Sequence, residues 1–419
     1  MRRKTTDIVF DSPIGPQGEE AKNADRKAMD FDMYNILTLN KIAKCGLEQL
    51  AEDKYKITDD AAANADGIIL RSYAMHDMEL PVSLMAVARA GAGTNNIPID
   101  KCTEKGVVVF NTPGANANAV KELVMAGLFM SSRKITDGIV WANTLTGDDI
   151  AKQIEKGKSN FAGQEIQGKT LGVIGLGAIG VLVANAARHL GMNVIGFDPY
   201  LSVDYAWRLS SHIKKAKTQK EVFENADYIT IHVPLIPDTK NLINSDALAQ
   251  MKDGVKILNF ARGELVNNTD IKAALASGKV SSYVVDFPNG ETINQPGIIA
   301  IPHLGASTVE SEDNCAVMAA NELSDYLENG NILNSVNFPN CSLPDGGQGR
   351  IAIIHKNIPN MITQFSKIFS DENINISEMI NKSKKDNAYT LMNTDDIITN
   401  DLVDKLKAIE GVIRVRVIK

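Results

Sequence analysis

The sequence predicts an α/β protein with largely parallel sheets, and three observations carry that reading. Short apolar, β-branched runs alternate with helix-length stretches over most of the chain. A glycine-spaced strand–turn–helix stands in mid-chain rather than at its start. Residues 350–419 follow a different order, βαββαβ.

Of the three, the glycine stretch is the most informative. Residues 170–174 read as a short buried strand, and Gly175, Gly177 and Gly180 follow with the spacing G-x-G-x-x-G. The first glycine suits a tight turn, the second lets a pyrophosphate approach the backbone, and the third lets helix pack on strand. The helix that follows offers its N-terminal amides to phosphate. A second strand, 193–197, runs into Asp198, placed where a carboxylate binds a ribose 2′-hydroxyl. Strand, helix, strand and acid in this order specify a Rossmann dinucleotide site. Asp198 has no arginine directly after it, which favours NAD over NADP.

The remaining elements follow in order. Residues 1–32 hold Pro13, Gly15, Pro16 and Gly18 and then a charged run, and read as a disordered extension. Met33, just ahead of a strand at 34–39, is an alternative translation start. Strands at 67–70, 85–89 and 107–110 lead into a long helix at 118–133. Residues 134–307 carry the dinucleotide unit, with later strands at 228–233, 255–260, 282–287 and 298–301. A second long helix spans 308–328. Two long helices bracketing a mid-chain Rossmann unit predict a first domain built from 33–133 and 308–340, with a cleft against 134–307. Residues 331–349, rich in Asn, Pro and Gly, read as a linker, of which 341–349 joins the last domain. That domain, 350–419, reads as a separate unit: strand 351–355, helix 360–369, strands 374–383 and 388–393, helix 400–408 and strand 413–418.

Composition narrows the function. A net charge of −7 argues against a nucleic-acid binder. Four cysteines lack C-x-x-C spacing, so neither a zinc site nor a disulfide framework is expected, and no other metal site is. No apolar run approaches the ~20 residues that span a bilayer, and no signal peptide is visible, so a cytoplasmic location is expected.

An enzyme that moves hydride to a nicotinamide from an alcohol needs an acid–base group for the hydroxyl proton and often a cation for a substrate carboxylate. Arg262 and His303 each stand just past a predicted strand, the edge at which open α/β sheets bind ligands. Arg262 suits bidentate carboxylate binding. Glu291 is a candidate to hold His303 in one tautomer and favour its protonation, or else a solvated loop acid. His232 reads as a packing or cofactor-edge residue. Arg71 and Arg89 read as substrate contacts or as solvated surface residues.

The motifs Gly175-Leu176-Gly177-Ala178-Ile179-Gly180, Asn259-Phe260-Ala261-Arg262-Gly263 and Pro302-His303-Leu304-Gly305 resemble the fingerprints of the D-isomer-specific 2-hydroxyacid dehydrogenases, and the resemblance runs from about residue 33 to residue 419. It implies a flavodoxin-like substrate domain interrupted by a Rossmann NAD-binding domain, then a ferredoxin-like ACT domain. It implies Arg262, Glu291 and His303 as catalytic residues. Cofactor contacts would fall on Gly175, Gly177, Ala178, Ile179, Gly180, Asp198, Pro234, Phe260, Ala261, Arg262, Asp286, His303, Leu304, Gly305 and Ala306. Leu70-Arg71-Ser72 and the stretches 89–96 and 111–116 resemble the phosphoglycerate branch, which oxidises D-3-phosphoglycerate to 3-phosphohydroxypyruvate as the entry to serine. Arg71, Ser72, Ala92, Gly93 and Asn111 would then meet substrate. The ACT-like unit implies an amino-acid effector, serine, at His355, Asn357 and Asn375, or a dimerisation module without ligand. A homodimer or homotetramer is implied. Two departures stand out: the loop from Glu291 to His303 is shorter than in familiar members, and Asn360 stands where the effector motif has glycine. The rival readings are a dehydrogenase acting on glycerate, lactate or 2-oxoglutarate, and an NAD-sensing binding protein.

Overall fold

The computed structural model describes residues 33–60 and 64–419, so the extension expected at 1–32 lies outside the described residues. The first five strands are β1 (Tyr34–Leu39), β2 (Tyr55–Thr58), β3 (Gly67–Leu70), β4 (Ala86–Arg89) and β5 (Val108–Asn111). They form one parallel sheet in the order β2-β1-β3-β4-β5, the flavodoxin-like order. All four residues of β3 are buried, as expected of a parallel strand covered on both faces. The sequence reading missed β2, a sheet-edge strand of only four residues with one of them buried.

Helix α1 (Ala117–Arg133) leads out of this sheet, and two short helices, α2 (Ile135–Ala142) and α3 (Ile150–Gly157), follow with no buried residue. Seven parallel strands then form the second sheet: β6 (Thr170–Ile174), β7 (Asn193–Phe197), β8 (Lys214–Lys215), β9 (Tyr228–Ile231), β10 (Val255–Asn259), β11 (Val280–Val285) and β12 (Ile298–Ala300). Their order, β12-β11-β10-β9-β6-β7-β8, reverses direction between β6 and β9, the switch point at which such sheets bind ligands. Helix α4 (Ala178–His189) starts at that point. Helix α5 (Val309–Asn329) returns to the first sheet, with Leu323, Tyr326 and Leu327 packed beside Ile36 and Phe110. Among the described residues no helix is long and apolar enough to cross a membrane, and no His, Cys, Asp and Glu group forms a metal cluster.

The C-terminal residues hold β13 (Gly349–Lys356), α6 (Met361–Asp371), β14 (Ile376–Lys384), β15 (Asn387–Thr394), α7 (Asn400–Lys407) and β16 (Val412–Val417), an antiparallel sheet ordered β14-β15-β13-β16. This is the expected βαββαβ order, but the unit is not separate. Along β13 the alternate residues Ile351 and Ile353 face α6 and α7, whereas Ala352 and Ile354 join the core of the first sheet, as do Tyr389 and Leu391 of β15. The central strands β13 and β15 are therefore buried on both faces, whereas β14 is largely exposed. The segment read as a linker is also packed: Ile332, Phe338 and Cys341 are buried. Asn337 completes the edge of the first sheet by accepting from Val109 N (2.9 Å) and donating to Val107 O (2.9 Å).

Arginines join the two units. Arg416 donates to the carbonyls of Tyr326 (3.2 Å) and Leu327 (2.8 Å) in the last turn of α5 and lies 4.6 Å over the Tyr326 ring. Those carbonyls carry the negative end of the helix dipole, so a cation there is favourable. Arg350, 2 % exposed, donates to Asn329 O, Pro344 O, Leu343 O and the side-chain oxygens of Asn331 and Asn393. Arg416→Ala removes the charge from buried carbonyls, and should lower stability by about 2–4 kcal/mol in denaturant titration; wild-type stability would show that this contact is solvated. A second prediction concerns Glu322 in α5, whose carboxyl is pushed up to about 8 by burial, against a hydrogen bond from Asn334 (2.7 Å). The unfolded carboxyl titrates near ~4.3, so the folded state alone holds the proton between there and about 8, and stability falls as pH rises through that window. Glu322→Gln should gain in melting temperature over the wild type between pH 5 and pH 8.5 (values on the order of the window's ends); parallel curves would mean an ionised, solvated carboxylate.

Candidate active site

The glycine turn after β6 has the geometry a pyrophosphate needs. Gly175 has φ +91°, and a Cβ there would lie 2.6 Å from His232 O. A Cβ at Gly180 would meet Gly175 O at 1.9 Å, so only glycine lets α4 start this close to the strand. Nothing lies within 4 Å of a Cβ position at Gly177, which leaves room for a ligand. No side chain caps α4, whose first turn holds Ala178 and Ile179, so its first amides face that room. Asp198 Oδ2 accepts from Leu176 N and Oδ1 from Tyr200 N, both at 2.8 Å. The carboxylate thus braces the turn, with lone pairs left for ribose hydroxyls. These groups fit a dinucleotide. His232 is half-buried, bonds Thr230 Oγ1 (2.9 Å) and is pushed down to about 3 by desolvation, so it stays neutral.

Past the strand ends, a second set of residues gathers. Fully buried Asn259 accepts from Ala261 N (3.2 Å) and donates to Arg262 O (2.7 Å), which shapes the turn that carries Arg262 outward. Phe287 forms a shared platform: the Arg262 guanidinium lies 5.2 Å from its ring centroid and the His303 ring 4.3 Å. His303 itself has φ +52°, a sparsely populated conformation for a residue with a Cβ. Asp286 holds the loop that follows, accepting from Leu304 N (2.8 Å) and Gly305 N (2.9 Å). Desolvation raises its pKa, opposed by those two amides. Phe260, by contrast, points into the core against Gly127.

Facing these groups is the first sheet's loop edge. A cleft of about 720 Å³ is lined by Arg71, Ser72, Ala92, Gly93, Arg262, His303 and Ala306, and also by Arg89 and Glu312. The Cβ position of Gly93 lies 3.4 Å from Arg262 Nη2 and 3.9 Å from Arg89 Nη1, so two guanidinium groups flank one backbone site. Arg89 loses proton affinity to desolvation and to its neighbours Arg71 and Arg262. Arg71 Nη1 contacts Glu312 Oε1 at 2.6 Å. Asn96 ties the arginine loops, accepting from Arg89 Nε (3.2 Å) and donating to Arg71 O (3.1 Å). Asn111 acts from behind by donating to Ala92 O (2.6 Å).

Four of the sequence candidates stand elsewhere. Glu291 is exposed and paired with Lys272 (2.9 Å), whose ammonium holds its carboxyl below the usual value. It faces a neighbouring cavity of about 730 Å³ that His303 also lines, but no hydrogen bond joins the two. His355 is buried beneath α6, with Nδ1 on Lys356 O and Nε2 on Thr390 Oγ1 and its ring edge-on to Phe365. Asn357 donates to Lys385 O and Asn375 to Asp395, so the three effector candidates do not converge on one another. Asn259, Phe287, Asn96 and Glu312 were missed. A signal existed for the first two, which flank the arginine motif and follow the strand-end aspartate.

Residues 128–305 match the D-isomer specific 2-hydroxyacid dehydrogenase NAD-binding domain. The D-3-phosphoglycerate dehydrogenase of Haemophilus influenzae is 33% identical over 371 residues, covering 84% of this chain and 86% of its own. That of Escherichia coli K12 is 30% identical over 348 residues, 80% and 82% of the two chains. A glyoxylate reductase structure from Paecilomyes thermophila superposes with TM-score 0.60 at 26% identity over 73% of this chain and 98% of its own. An NAD+-bound 3-phosphoglycerate dehydrogenase from Entamoeba histolytica gives 0.58 at 24% over 73% and 99%, a likeness of fold.

Asp286→Ala should strand the Leu304 and Gly305 amides and cost about 2 kcal/mol of stability. Faster amide exchange at 303–306 than at the β10 edge would locate the loss; uniform exchange would deny the loop its dependence on Asp286.

Proposed function

Because the chain belongs to the D-isomer specific 2-hydroxyacid dehydrogenase family, and so is an NAD-dependent dehydrogenase, we propose that its substrate is D-3-phosphoglycerate, oxidised at C2 to 3-phosphohydroxypyruvate as the entry to serine. The observation that carries this reading is the gathering of Arg71, Arg89 and Arg262 with His303 in one cleft lined from both lobes. A molecule with a carboxylate and a phosphate has two anionic ends, and this cleft offers more than one cation. Relatives named D-3-phosphoglycerate dehydrogenase at 33% and 30% identity support the same substrate.

Bound NAD supplies the hydride acceptor. On the protein's side, His303 takes the C2 hydroxyl proton as general base. Arg262, at the Gly93 backbone, holds the carboxylate and stabilises charge on the developing carbonyl oxygen. Arg89 adds to the field there, and Arg71 with Ser72 meets the phosphate. Phe287 fixes the relative placement of base and cation, and Asp286 fixes the loop that carries the base. Glu291 serves His303 from the rear cavity, and must leave Lys272 to do so. In the C-terminal unit, regulation by an amino acid would use a surface other than the buried His355 ring.

Purified protein with NAD and D-3-phosphoglycerate should form NADH, followed by absorbance. His303→Ala should lower kcat by about 10²–10⁴-fold and leave NAD affinity within about threefold. No NADH with this acid, but turnover of glycerate or lactate, would move the substrate reading to those acids.

A further inference from the structure

The pairing of Arg71 with Glu312 is not used by the reaction above, and it sits inside the cleft. Arg71 Nη1 and Glu312 Oε1 are 2.6 Å apart, with side chains 38% and 45% exposed, so both are open to an incoming anion. The cleft's other two guanidinium groups have no such partner among the described residues. Arg89 donates to Asn96, and Arg262 donates to Ala261 O and lies over Phe287. Glu264 also lines the cleft, but no ion pair joins it to an arginine. Glu312 therefore singles out Arg71.

We propose that Glu312 is a specificity-determining residue, an internal counterion that occupies Arg71 until the phosphate of the substrate displaces it. The inference rests on the phosphorylated-substrate reading above. An anion that reaches Arg71 meets a guanidinium already neutralised, and it must remain beside the displaced carboxylate. Both effects weaken binding at Arg71 and leave the Arg262 end untouched. The pair thus sets how strongly the cleft favours a second anionic group on a hydroxy acid. The ordinary alternative is that Glu312 only stabilises the first turn of α5, where acids favour the helix dipole. That role would alter melting temperature and would not distinguish substrates by charge.

The test compares the full chain with Glu312→Gln. Loss of one unit of like charge at this range should lower KM for D-3-phosphoglycerate by roughly tenfold, with a smaller change in kcat. KM for D-glycerate, which lacks the phosphate, should shift less than about twofold. Isothermal titration with inorganic phosphate should show tighter binding in Glu312→Gln, and the gain should shrink in an Arg71→Ala background. Equal tightening for both acids, or a phosphate gain undiminished without Arg71, would overturn the proposal in favour of a general field effect. If D-3-phosphoglycerate is not a substrate at all, the function reading fails, and the phosphate titration still decides the role of Glu312: no gain there rejects it.

Discussion

One guanidinium ties together the parts of the chain that are most distant in kind. Arg350 has five N–H donors, and each meets an uncharged oxygen: one at the end of α5, two on the backbone of the connection at 343–344, and one each from Asn331 and Asn393. A buried charge is costly unless all its donors are satisfied. Here they are satisfied only when the helix end, the connection and the C-terminal sheet stand in one arrangement. The docking of the last unit, the packed course of residues 331–349 and the position of α5 follow from that requirement.

The other end of α5 bears on the chemistry. The helix starts in the cleft with Ser311, Glu312 and Cys315, and ends among the arginines of the C-terminal sheet. The cleft is lined from both lobes. Arg262, His303 and Phe287 come from strand ends of the larger sheet, whereas Arg71, Arg89 and the Gly91–Gly93 turn come from the smaller one. Strain is found there too, in the positive φ of His303. The amides bound by Asp286 and the ring of Phe287 offset part of it.

What the sequence reveals is local. The dinucleotide turn was legible because three glycines, an apolar strand and an aspartate lie within one stretch, and each has one physical use. Arg262 and His303 were legible because each follows a strand directly. Glu312 was not, because an acid in a helix's first turn has an ordinary role and nothing nearby names Arg71 as its partner. Glu291 held its expected spacing from Asp286, but Lys272, which holds it in the structure, comes from a helix that the spacing does not describe. The docked face of the C-terminal sheet did leave a trace. Arg350-Ile-Ala-Ile-Ile-His355 is apolar at successive positions, whereas a half-exposed antiparallel strand alternates. The type and spacing of His355 suggest a ligand contact, whereas its position on β13 places it under α6.

A small C-terminal domain is ordinarily joined through a flexible connection that few contacts cross, and can be removed there without disturbing the rest. This chain lacks that freedom. A cut anywhere in 331–349 would part Arg350 from its acceptors and uncover Ala352, Ile354 and the apolar face of α5 together. The last unit is therefore a structural part of the first lobe, because the lobe left without it would present that apolar surface to water.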